Sequence, residues 1–127
     1  MIKNTILILL ILFTHLLALS QNYSEPLGGV GYLTCDELEE SVIKKTKFNK
    51  GWDDYELNSS FLERVKFYET KFFYTFALAK FKNKPAVYVF CGIPNEKASL
   101  FEVYLETGES SGELFNKYIS PYKCDCK

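Results

Sequence analysis

Phe72-Phe73-Tyr74-Thr75-Phe76-Ala77-Leu78-Ala79-Lys80-Phe81 is followed by Lys82-Asn83-Lys84-Pro85 and then by Ala86-Val87-Tyr88-Val89-Phe90. The first run is apolar at odd and even positions alike, the pattern of a strand covered on both faces. A tight polar turn follows, and the next run is β-branched and aromatic, as a strand requires. Upstream, from Ser60 onward, Phe61, Val65 and Phe67 alternate unevenly with polar neighbours such as Glu63. The spacing predicts a three-stranded antiparallel meander between Ser60 and Cys91, ended by Ile93-Pro94.

Helices are predicted on either side of that meander. Thr34-Cys35-Asp36-Glu37 fits a capping box, in which the Thr hydroxyl and the Glu carboxylate satisfy free amides. Leu38, Val42 and Ile43 then share one face, giving a helix over about residues 35–45. Lys44, Lys45, Lys47 and Lys50 form a basic cluster at its end, where the helix dipole favours cations. Gly51 to Glu56, with Trp52, reads as a connector. After the meander, Asn95 to Thr107 predicts a helix with Leu100, Val103 and Tyr104 inward, stopped by Gly108. Ser110-Ser111-Gly112-Glu113 starts a last helix whose face carries Leu114, Phe115, Tyr118 and Ile119, and Pro121 closes it. The expected fold is therefore α+β: an N-terminal helix, a three-stranded antiparallel meander, and two C-terminal helices packed on the sheet.

The amino end carries a different signal. Lys3 precedes an almost continuous apolar run from Ile6 to Leu19, and Ala18-Leu19-Ser20 supplies small residues for a peptidase. This predicts a secretory signal peptide over residues 1–20, cleaved between Ser20 and Gln21. The run is too short and too broken by Thr14 and His15 to span a bilayer, so no membrane anchor is expected after cleavage. Cleavage would take basic and acidic residues from 15 and 16 to 14 and 16, a formal charge of −2. That balance gives no global attraction for nucleic acid. His15 is the only histidine, so the mature chain would hold no Ser-His-Asp triad, Cys-His pair or histidine-bound metal. Gln21 to Tyr32 is turn-rich, and its Gly28-Gly29-Val30-Gly31 lacks the Lys-Ser/Thr of a phosphate loop.

Cys35, Cys91, Cys124 and Cys126 are an even set in a chain read as exported, which favours structural disulfides in a secreted or periplasmic setting. Closing Cys124 on Cys126 makes a very small ring. One of the two is therefore expected to bond Cys35 and the other Cys91, with the choice left open. A metal-binding or redox-active Cys-x-Cys tail is the competing reading, without histidine ligands or a second paired motif to support it.

Five blocks carry a family resemblance: Asn58-Ser59-Ser60-Phe61-Leu62, Val65-Lys66-Phe67-Tyr68, Val87 to Pro94, Ser111-Gly112-Glu113-Leu114-Phe115-Asn116-Lys117-Tyr118-Ile119, and Tyr122. In this order they resemble the KTSC domain, named for the C-terminus of some lysyl-tRNA synthetases. The resemblance divides the chain into a signal peptide (1–20), an extension with one helix (21–56), a KTSC-like domain (57–122) and a Cys-x-Cys tail (123–127). The family's central Tyr-x-Tyr stands here as Tyr88-Val89-Phe90. Its association with a synthetase implies RNA binding, with Tyr88, Phe90 and Tyr74 as a stacking platform.

From the residues, the expected function is a non-catalytic binding or interaction module for a protein or small ligand, with no cofactor. Its surface is placed at Ser111, Gly112, Asn116 and Lys117, near the Ile93-Pro94 corner, where helix amides would hold an anion. Tyr88 and Phe90 are the other candidates, with core packing as their plain alternative. Three other functions compete. One is single-stranded RNA binding; a second is an immunity or inhibitor role in the periplasm. The third is a small hydrolase using Ser59 or Ser60 with a lysine, or a pair among Glu102, Glu106, Glu109 and Glu113.

Overall fold

The computed structural model describes residues 33–127, so the expected signal peptide, its expected cleavage point and the expected turn-rich segment Gln21 to Tyr32 lie outside the described residues. Helix α1 (Cys35–Lys45) leads into strand β1 (Lys47–Trp52) and a single helical turn, α2 (Asp54–Leu57). Strands β2 (Leu62–Glu69), β3 (Tyr74–Phe81) and β4 (Val87–Pro94) follow, then helices α3 (Asn95–Glu106) and α4 (Ser111–Tyr118), and a 3-10 turn at Ser120–Tyr122. The sheet is antiparallel in the order β1-β2-β3-β4.

The class is α+β, but the expected three-stranded meander is wrong: the sheet has four strands. The extra strand is β1, which holds half of the presumed basic cluster and the start of the presumed connector. Lys44 and Lys45 do close α1, whereas Lys47 and Lys50 belong to a strand paired with β2 through Lys47↔Glu69 and Trp52↔Val65. β1 is an edge strand, and lysines on an exposed edge discourage further pairing. The rest of the supposed connector is α2, capped by Asp53, whose carboxylate accepts from Glu56 N at 3.4 Å.

The capping box of α1 is present in both directions: Thr34 N donates to Glu37 Oε2 at 2.9 Å and Glu37 N donates to Thr34 Oγ1 at 3.2 Å. In each of two helices one expected inward residue needed correction. In α1 Leu38 and Val42 face inward as expected, while Ile43 is exposed; in α3 Leu100 and Tyr104 pack against the core beside the buried Ala98 and Phe101, while Val103 is exposed. One more residue of rotation carries a side chain 100° round the helix, enough to leave the core.

Both faces of the sheet are covered, so the chain forms three layers. One face presents Trp52, Val65, Phe67, Ala77, Ala79 and Phe90 to Phe101, Leu114, Phe115 and Ile119 of the C-terminal helices. Aromatic edges fill that layer, with Trp52 and Phe101 centroids at 5.3 Å and Trp52 and Phe67 at 5.0 Å. The other face presents Tyr68, Phe76, Leu78, Val89 and Cys91 to Leu38 and Val42 of α1. This double cover explains why β3 is apolar at both parities. Phe72 and Phe73, expected to begin that strand, instead form the exposed β2–β3 tip.

A bulge separates Phe90 from Ile93 in β4: Ala77 pairs with Phe90 and Thr75 with Ile93. Gly92 takes φ 64°, a left-handed conformation that a side chain would strain. The extra residue restores Ile93 to the helical face that alternation would otherwise deny it. Cys35 bonds Cys126 and Cys91 bonds Cys124, each with Cα atoms 5.1 Å apart. The expectation that the tail cysteines divide between Cys35 and Cys91 therefore holds, and its open choice is resolved. Both bridges lie on the α1 side of the sheet, where they fix the tail.

Candidate functional site

Tyr88 projects from β4 beside Phe81 of β3, with ring centroids 5.2 Å apart and nearly perpendicular. Phe115 of α4 packs edge-on against both Phe81, at 5.6 Å, and Phe90, at 5.3 Å. Phe61, at the entry to β2, closes the same wall by stacking on Phe81 at 6.2 Å. Together they line a groove of about 410 Å³ that runs between the β3–β4 turn and the end of α4. Asn116 and Ser120 contribute polar atoms to its rim, and three lysines, Lys82, Lys84 and Lys123, complete it.

The lysines are not equivalent. Lys82 Nζ lies 2.9 Å from Asp54 Oδ1 and donates to the Ser59 carbonyl at 2.6 Å, so its charge is matched and its position fixed. Lys84 and Lys123 form no ion pair among the described residues. Lys84 Nζ stands 5.7 Å from the Tyr88 centroid and 5.9 Å from that of Phe81, and Lys123 Nζ stands 5.3 Å from the Tyr88 centroid. One phenol ring thus carries two ammonium groups, each attracted to its face by about 0.5–1 kcal/mol at a solvated site. No carboxylate is among the residues lining the groove.

Local structure positions both cations. The turn from β3 to β4 closes with Lys84 N donating to Phe81 O at 3.2 Å, and Asn83 adopts φ 63° at its apex. Asn is among the residues best suited to that left-handed conformation. The tail runs alongside β4, where Cys124 N donates to Val89 O at 3.1 Å and Lys123 bridges to Phe90. In an extended chain consecutive side chains point to opposite faces. Cys124 therefore enters its disulfide on the α1 side while Lys123 reaches the aromatic side.

The residues expected at one binding surface separate into three settings. Tyr88, Phe90 and Asn116 meet in the groove. Ser111 and Gly112 are buried: Ser111 Oγ donates to the Leu57 carbonyl at 2.6 Å, and a Cβ on Gly112 would stand 2.6 Å from Phe61 Cε1. They hold α4 against α2 and the Phe61 ring, a packing role. Lys117 lines a different concavity with Tyr104, Glu109, Glu113 and Tyr118, its Nζ 5.2 Å from the Tyr118 centroid. The helix start is capped from within, since Glu113 N donates to Ser110 Oγ at 3.4 Å. Tyr74, the third residue of the expected stacking platform, pairs with Pro94 at the opposite end of the strand pair from Tyr88.

Of the residues weighed for hydrolysis, Ser59, Glu102 and Glu106 are engaged in structure. Ser59 Oγ accepts from Phe61 N at 3.2 Å and Leu62 N at 3.1 Å, forming the turn into β2. Glu102 and Glu106 accept from Lys50 Nζ at 2.8 and 3.1 Å, which ties β1 to α3. These hydrogen bonds hold the Lys50 ammonium above its ordinary pKa. Among the described residues no cluster of His, Cys, Asp and Glu is arranged to hold a metal ion, and no helix is long and apolar enough to cross a membrane. Phe61, Phe81, Phe115, Lys84 and Lys123 were not singled out from the sequence as site residues. The signal for the two lysines was their place beside Pro85 and Cys124, in segments whose backbone is fixed. No family model, curated protein or solved structure matches this chain.

Proposed function

We propose that this protein is a non-catalytic binding module whose site is the aromatic groove, and that its ligand is an anion with an apolar or aromatic body. The observation that carries this reading is the placement of two ammonium groups without an ion pair among the described residues, Lys84 and Lys123, over the single ring of Tyr88 in a groove whose described lining holds no carboxylate. Two like charges over one ring repel each other. An anion entering between them relieves that repulsion while its body covers Phe61, Phe81 and Phe115. KTSC membership belongs to the same proposal, supported by Phe61, Tyr88, Phe90 and Asn116 of its blocks lining one groove. Export belongs to it too: two disulfides are compatible with an oxidising compartment. Amino-terminal sequencing of released protein tests export, which is refuted if residue 1 and not Gln21 is found.

Titration with 1-anilinonaphthalene-8-sulfonate, an aromatic anion, tests the site. Affinity should fall at least tenfold in K84Q/K123Q with an unchanged Tm, and the uncharged N-phenyl-1-naphthylamine should bind more weakly. Equal affinity in the variant, or equal binding of the neutral probe, refutes the reading. A ring flanked by cations also suits a nucleobase stacked beside phosphate, so RNA is the second reading. Displacement of the probe by oligouridylate, with a steep salt dependence, would favour it.

A further inference from the structure

At the far end of the sheet from the groove, the β2–β3 hairpin exposes two adjacent phenylalanines, Phe72 at 55% and Phe73 at 84%. Burying neither ring is unusual, because the other phenylalanines among the described residues, apart from Phe48, pack into the core or line the groove. Their backbone is held firmly. Thr70 N and Thr70 Oγ1 both donate to Tyr74 O, at 3.2 and 2.9 Å, and Phe72 N donates to Thr70 Oγ1 at 3.2 Å. Asn95 N donates to Phe73 O at 3.1 Å, which anchors the tip to the start of α3. Phe73 itself takes φ 63°, an uncommon conformation for a bulky residue. The tip thus displays its rings on a fixed backbone.

The surroundings of the tip are cationic. A concavity of about 550 Å³ beside Phe72 is lined by Lys45, Lys47 and Lys71, with Glu69 as its one carboxylate. None of the three lysines forms an ion pair among the described residues. Positive charge has been left unmatched where the apolar rings protrude.

We propose that this end of the molecule docks on an anionic lipid surface, with Phe72 and Phe73 entering the interface and Lys45, Lys47 and Lys71 meeting the headgroups. Aromatic rings suit that boundary, and each lysine near an anionic leaflet strengthens binding about fivefold. A neutral apolar partner would have no use for the lysines, and a soluble polyanion without aromatic groups none for the rings. The groove lies at the other end and would remain open to ligand.

The test uses Phe73→Trp and vesicles of phosphatidylcholine with and without phosphatidylglycerol, their acyl chains brominated. Trp52 is buried and reports no insertion, so quenching reads position 73 alone. The expected result is blue-shifted, bromine-quenched emission with anionic vesicles only. Lys45→Gln, Lys47→Gln and Lys71→Gln combined should weaken it about a hundredfold at an unchanged Tm. Quenching that is absent, equal with phosphatidylcholine alone, or unaffected by the triple variant overturns the proposal. Anionic vesicles that bind the protein without quenching at position 73 overturn it too, as does protection of that residue by a protein partner without vesicles.

Discussion

Gly112 occupies the first turn of α4, where an added Cβ would stand 2.6 Å from Phe61 Cε1 and 3.2 Å from Phe61 Cζ. Real Cβ atoms do not approach carbon so closely, so in Gly112→Ala the ring must move. Phe61 is stacked on Phe81 and lies edge-on to Phe115 at 6.4 Å, so its displacement disturbs the groove wall as well as the helix contact. Overpacking of this kind costs about 1–3 kcal/mol. Alanine recovers up to about 1 kcal/mol of helix propensity. A net loss of about 1 kcal/mol follows, or roughly 4–8 °C in Tm for a domain of this size. The mechanism is isolated by a double-mutant cycle in Phe61→Ala, where the new methyl group meets open space and should be neutral or stabilising. The coupling between the sites should then be about 1–2 kcal/mol in urea unfolding. An equal penalty with and without the Phe61 ring would refute the packing argument.

Ser111→Ala removes the donor of the buried Leu57 carbonyl and should cost about 1–3 kcal/mol in chemical denaturation; a loss below half that range would show that water replaces the hydroxyl. Lys50 has a raised pKa because Glu102 and Glu106 accept from it, so its stabilising effect is complete below the unfolded value near 10.5 and fades as pH rises through the folded one. Its side chain is 38% exposed, so Lys50→Met should lose less than about 1 kcal/mol at pH 7. That difference should shrink as pH rises through the folded value, and a difference that grew with pH would contradict the assignment. The disulfides are read by digestion before Asp125, which separates Cys124 from Cys126 and should release Cys91 linked to Cys124. Replacing that pair by serine should remove about 3.7 kcal/mol on the chain-entropy estimate for its 33-residue separation. It should also weaken binding of the anionic probe by freeing Lys123.

Helix α1 was legible because both of its capping residues act within a few positions of each other, and local chemistry suffices to specify such a start. β1 was not. Its residues are exposed from Lys47 to Asn49 and only Trp52 is buried, so no alternation marks it as a strand. What makes it one is pairing with β2, a contact absent from any local window. The same limit applies to the groove. Tyr88 and Phe90 stand out within a single strand, but the cations that give Tyr88 its character come from a turn and from the tail. Ser111 and Gly112 were conspicuous for the opposite reason: a serine and a glycine at a helix start resemble an anion cradle, while a buried carbonyl and a phenyl ring supply the physical cause of their presence.

The tail connects disulfide bonding to the groove. Its backbone lies along β4 through the Cys124 to Val89 hydrogen bond, and the Cys91–Cys124 bridge fixes that register. Because alternate side chains face opposite ways, the residue before the anchored cysteine must point toward the helices, and that residue is Lys123. A cation on a free tail would spend its time in solvent; held beside β4, it is placed 5.3 Å from the Tyr88 ring. The cysteines therefore do more than offset chain entropy. Oxidation on one face of the sheet positions charge on the other, and the groove is complete only in a chain whose tail has been bonded.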